Sequence, residues 1–108
     1  MQTRQLGSQG PTVSRLGLSD FYGLEIVHRT IEMGVTFIDT ADMYRPFTNE
    51  ELVGQALLEG CREQVALAMR FGNQRSSDGR FIRINGTPEY VREAGASLRR
   101  LKVDRIVL

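Results

Sequence analysis

An α/β fold built on a parallel sheet is the class this sequence predicts, and three observations predict it. Short apolar runs of strand length alternate with segments whose apolar residues recur at helical spacing. Gly, Pro, Ser and Asn punctuate most of the changes from one kind of segment to the other. After an opening hairpin the order is strand, helix, strand, helix, strand, helix, strand, and strict alternation returns successive strands parallel through right-handed crossovers. At 108 residues, 41% hydrophobic and 25% charged, the chain has room for one domain with one modest core, so residues 1–108 are read as a single domain.

In chain order, "TRQLGSQGPTVSRLGLS" supplies short apolar stretches broken by Gly, Ser and Pro, which predicts two strands joined by the turn "GSQGP" and leads into the strand "RLGLS". "LEIVHRTIEMG" sets Leu24, Val27 and Ile31 at helical spacing and stops at Gly34, a residue suited to a left-handed position after a helix. "VTFID" is a buried strand. In "TNEELVGQALLEG", Thr48 and Glu51 stand in the capping-box relation, Leu52, Ala56 and Leu57 form an apolar face, and Gly60 ends the helix. "QVALAMRF" is a further buried strand, followed by "GNQRSSDGRFIRING", read as a long polar loop. "TPEYVREAGASLRRL" begins with Thr87 as N-cap and Pro88 at the first helical position, and Val91, Ala94, Leu98 and Leu101 line one face. "VDRIVL" starts a fourth strand. Four such parallel strands fit either half of a (β/α)₈ barrel or a small open doubly wound sheet, and periodicity alone does not choose.

Composition excludes several functions. A single cysteine, Cys61, and a single histidine, His28, cannot build a four-ligand zinc site or an internal disulfide, so no metal is expected. No apolar run approaches roughly 18 residues, and the N-terminal stretch has no apolar leader region, which predicts a cytoplasmic chain without membrane contact. Residues 1–69 carry five basic and nine acidic side chains, and residues 70–108 carry nine and four. The basic C-terminal third is scattered over helix faces and a loop without interleaved aromatics, so nucleic acid is not an expected partner.

The stretch "FIDTADMY" is unusual for a strand end, because an apolar run closes on two acids, Asp39 and Asp42, and a phenol, Tyr44. Together with "RLGLS", "TNEELVGQAL" and "RFGN", it resembles the N-terminal portion of aldo-keto reductases, over essentially the whole chain. The resemblance implies a partial (β/α)₈ TIM barrel with an N-terminal hairpin, about four parallel strands and three helices. It further implies reduction of aldehydes and ketones with NADPH. Tyr44 then matches the general acid, and Asp39 the aspartate that tunes it and lies close to the nicotinamide ribose. Since an ordinary phenol titrates near 10, a neighbouring cation is needed to make it an efficient donor. Arg70 stands where the family pattern has that cation as a lysine. A planar guanidinium forks differently from an ammonium, so its contacts with Tyr44 and Asp39 need not survive.

Other departures accompany this one. The segment from the first strand to the first helix looks shorter than the family's, Arg45 replaces a glycine after the tyrosine, and Val107 replaces an aspartate. The orienting histidine and the phosphate-clasping strands of the family would fall beyond Leu108. The expectation is therefore an N-terminal fragment that is inactive alone, with exposed strand edges through which it could form a homo-oligomer. The competing readings are a non-catalytic half-barrel interaction module and a remnant without selected function. Asp42 is expected to stabilise its turn by accepting backbone hydrogen bonds. His28 is expected to pack, and Cys61 to be an incidental thiol.

Overall fold

The computed structural model describes residues 1–19, 23–44, 48–58 and 60–107. Strands β1 (Thr3–Gln5) and β2 (Thr12–Ser14) pair antiparallel as the opening hairpin. Strands β3 (Gly17–Ser19), β4 (Phe37–Ala41) and β5 (Ala66–Arg70) form a parallel sheet in the order β3-β4-β5. Helix α1 (Leu24–Glu32) connects β3 to β4, and α2 (Thr48–Leu58) with a 3₁₀ turn at Arg62–Gln64 connects β4 to β5. The register sets Ser19 beside Asp39 and Ala41 beside Arg70.

Strand alternation sorts the side chains by face. Ile38 and Leu67 point to the helices and pack with Val27, Ile31, Val53, Ala56, Leu57 and Leu101, the main core. Phe37, Asp39 and Ala68 line an open cavity on the other side. Two helix ends use glycine as expected. Gly34 (φ +87°) closes α1 with Gly34 N–H donating to the Ile31 carbonyl and Val35 N–H to that of Thr30, a Schellman motif. Gly60 (φ +88°) follows α2. The apolar face of α2 also includes Val53 and Gly54, which the sequence reading did not select.

Three expectations are corrected. The supposed polar loop contains a hairpin, β6 (Asn73–Arg75) with β7 (Phe81–Ile84), whose tight turn is held by Ser76 N–H donating to the Arg80 carbonyl at 2.9 Å. The third helix is two, α3 (Pro88–Ala94) and α4 (Ala96–Leu101), because the chain bends at Gly95. Thr87 does cap α3, accepting from Tyr90 N–H, but Val91 is exposed and the buried position on α4 next to Leu101 is Ser97. Finally, residues 103–107 form no strand. Of the described residues only Val107, its N–H donating to the Leu67 carbonyl at 2.9 Å, continues the sheet beyond β5. Among the described residues no helix is long and apolar enough to cross a membrane.

Candidate active site

All three parallel strands deliver a polar side chain to one end of the sheet. Ser19 ends β3, Asp39 lies opposite it on β4, and Arg70 ends β5. Tyr44 follows β4 in a turn closed by its N–H donating to the Ala41 carbonyl at 3.3 Å. That turn carries its phenol across to Arg70.

The guanidinium of Arg70 is the hub. Its Nε donates to Asp39 Oδ1 at 3.3 Å, and its Nη2 lies 2.7 Å from Asp39 Oδ2 as a close ion-pair contact. The same Nη2 donates to the Tyr44 hydroxyl at 2.5 Å and to Ser19 Oγ at 3.1 Å. Ser19 in turn donates to Asp39 Oδ2 at 3.1 Å, and the Arg70 Cζ sits 5.4 Å from the Tyr44 ring centroid. Partial burial pulls the Arg70 pKa down, but the hydrogen bond and charge of Asp39, together with Tyr44, outweigh it and hold the pKa above its ordinary value. Sequence reasoning allowed that arginine would lose both partners. In the structure it keeps both, because the longer side chain places one terminal nitrogen between carboxylate and phenol.

Asp42 has a different setting. Its N–H donates to the Arg70 carbonyl at 3.3 Å, so the backbone ties β4 to β5, and its carboxylate accepts from the Tyr90 hydroxyl at 3.1 Å. Burial raises the Asp42 pKa above its ordinary value, with Tyr90 acting in the opposite direction. Burial also pushes the Tyr90 phenol up to about 12, helped by the Asp42 charge. Where the sequence predicts backbone hydrogen bonds from its own turn, the carboxylate accepts instead from a side chain on α3. His28 packs, with its Nε2 3.2 Å from the Ala56 carbonyl between α1 and α2. Cys61 is a free thiol packed against the core rather than in purely polar surroundings. Arg45 lies outside the described residues, as do residues 20–22 of the shortened connection and Leu108.

Sequence reading missed Ser19 and Tyr90. Ser19 was detectable as a polar residue ending the strand beside "FID". Tyr90 had no local signal, since its partner lies 48 residues away.

Beside the hub is a cavity of about 630 Å³ whose polar lining includes Ser19, Asp39 and Arg70 and whose apolar lining includes Leu18, Phe37, Ala68 and Met69. An apolar floor with hydrogen-bonding groups at one end suits a flat ring bearing a polar substituent.

A parallel sheet with helices on one face and chemistry at the strand ends defines a barrel-type α/β protein. A sequence profile of the Aldo/keto reductase family matches residues 5–108, and the chain belongs to that family. The chain is similar to probable aldo-keto reductase 1 of Glycine max, at 37% identity over 122 residues, covering 100% of this chain and 35% of that protein. The alignment is longer than this chain, so the relative carries residues that this one lacks. An aldo-keto reductase from Bacillus halodurans in its holo form superposes with a TM-score of 0.87 at 36% identity, over 98% of this chain and 38% of that one. An aldo-keto reductase from Klebsiella pneumoniae in complex with NADPH superposes with a TM-score of 0.67 at 28% identity, over 88% of this chain and 34% of that one. The chain thus spans little more than a third of each of these proteins. Its sheet and helices are one arc of the family's TIM barrel, and the described residues do not close a barrel.

Proposed function

We propose that these residues form the proton-donating part of an NADPH-dependent carbonyl reductase, acting on an aldehyde or ketone in the cytoplasm and lying within a single barrel domain. The observation that carries this reading is Arg70 Nη2, in contact with both the Tyr44 hydroxyl and the Asp39 carboxylate. Tyr44 Oη holds the proton that passes to the carbonyl oxygen. Arg70 stabilises the phenolate left behind, and Asp39 holds the guanidinium in place and stands at the ribose side of the cofactor. The cavity beside Ser19, Asp39 and Arg70 fits the nicotinamide end of NADPH. When bound, NADPH supplies the hydride.

The 108 residues alone are proposed to be inactive, because the cavity they line is open on one side and the groups described contact only one end of so long a cofactor. A fluorescence titration of this polypeptide is expected to show no saturable binding at low micromolar NADPH. The decisive experiment grafts residues 1–108 onto the C-terminal portion of an active aldo-keto reductase, with the shortened connection before α1 restored. Tyr44→Phe in that chimera should lower carbonyl reduction by about 10² to 10⁴-fold while NADPH affinity stays within a few-fold. Retention of more than a tenth of the rate would remove Tyr44 from the role given to it.

A second reading is favoured by a specific surface. Phe71 and Val91 are each 44% exposed beside β5, and Met69, Leu98 and Ile106 share the same groove. Such an edge suits a half-barrel interaction module that pairs with a second copy.

A further inference from the structure

The contacts at the strand ends point to a positioning residue outside the family constellation. Ser19 Oγ accepts from Arg70 Nη2 at 3.1 Å and donates its own proton to Asp39 Oδ2 at 3.1 Å. With the hydrogen bond from Arg70 Nε to Asp39 Oδ1, these bonds close a three-membered ring of side chains.

The ring matters because of what a guanidinium is. It is planar and turns as one piece, so Nη2 stays beside Tyr44 only while the plane is held. The hydrogen bond from Nε to Asp39 and the ion-pair contact beside it hold that plane on one side, and the plane can still hinge there. The Asp39 carboxylate can also rotate about its own Cβ–Cγ bond. Ser19 opposes both motions, since its hydroxyl proton fixes the carboxylate and its lone pair draws the outward side of Nη2. It is well placed for this. Ser19 has a single side-chain torsion, and the β3–β4 register sets it directly beside Asp39. The Arg70 side chain, by contrast, is long and 56% exposed.

We propose that Ser19 is the positioning residue that lets arginine serve where an ammonium would otherwise stand, by holding the Asp39–Arg70 pair so that Nη2 faces the Tyr44 hydroxyl. The inference rests on the role given above to Arg70 and Tyr44. A compact ammonium has no plane to orient, so the need for Ser19 is tied to arginine.

The test on the chain itself is the hydrogen-exchange rate of the Arg70 Nε–H, read by NMR on the ¹⁵N-labelled 108-residue polypeptide. Ser19→Ala should speed that exchange at least fivefold, Ser19→Thr should keep it within twofold of the parent, and the backbone amides of Ile38 and Leu67 should be unchanged by either. Equal Arg70 exchange in the parent and Ser19→Ala overturns the inference, as does a parallel acceleration at Ile38 and Leu67, which would mean general loosening. In the chimera, Ser19→Ala should lower kcat three- to tenfold with the carbonyl KM within twofold, and change it less than twofold in an Arg70→Lys background. A loss of equal size in both backgrounds, or a faster enzyme, overturns it too. Altered Arg70 exchange with an unchanged kcat would leave Ser19 as the holder of Arg70 and refute instead the part assigned to Arg70 in proton donation.

Discussion

At the residue scale, Asp39 and Asp42 are three positions apart and do opposite things because their surroundings differ. Asp39 is partly open and ion-paired with a guanidinium, so its charge is matched. Asp42 is 7% exposed, and one of its carboxylate oxygens is buried without a hydrogen-bond partner. Its pKa is raised mainly by burial, from an ordinary value of 3.8. A folded-state pKa above the unfolded one means that the folded chain holds the proton more readily. The favourable contribution is therefore complete below about pH 3.8 and lost as pH rises through the folded pKa, after which the ionised group weakens the fold. Asp42→Asn cannot ionise and escapes that loss. Its urea midpoint, measured relative to the parent, should move upward as pH is raised from 3.5 to 7. A midpoint difference that is flat across that range would show that Asp42 is not strained by its charge. Asp39 and Tyr44 were legible in the sequence because strand-end chemistry clusters within a few residues. The closure of the site by Ser19 was not, because it joins strands 20 and 51 positions apart from their partners in sequence.

At the element scale, the third crossover shows where periodicity reaches its limit. The face predicted for one long helix holds at Ala94 and Leu101 but not at Val91, which is exposed on the short helix that precedes the break at Gly95. What binds the second helix is its approach to α2. A Cβ on Gly54 would lie 2.7 Å from the Arg100 carbonyl oxygen and from backbone atoms of Leu101. The buried carboxylate of Glu50, fully shielded from solvent, pairs with Arg100 across the same contact. Gly54→Ala gains about 1 kcal/mol of helix propensity but must force α2 and α4 apart, an overpacking cost of about 1–3 kcal/mol. The expected net result is a loss of up to roughly 2 kcal/mol in urea unfolding, with the exposed neighbour Gln55→Ala within about 0.5 kcal/mol of the parent. Equal stability of the two variants would mean that the helices slide freely at this crossing. The β6–β7 hairpin escaped the sequence reading for a related reason. Its strands are short and mostly exposed, so no buried alternation marks them.

At the scale of the whole molecule, the parallel sheet has β3 at one edge and β5 at the other, with a further backbone bond from Val107 to Leu67. Unpaired strand edges and the apolar groove at Phe71 and Val91 favour association. Sedimentation of the 108-residue polypeptide should therefore give dimers or larger species, with weight-average mass rising with concentration. A concentration-independent monomer that melts sharply would show a self-sufficient open sheet.

The sequence by itself determined the α/β class, the alternation of strand and helix from β3 to β5, and the placement of Asp39 and Tyr44 at one end of β4, because these follow from period, turn chemistry and residues close together along the chain. Tertiary structure alone decided that Arg70 reaches both partners, that Ser19 joins them, that α3 and α4 part at Gly95, and that residues 103–107 form no fourth strand. Each of these depends on distances between segments far apart in sequence, where strand register and helix crossing set the geometry and local residue pattern carries no information.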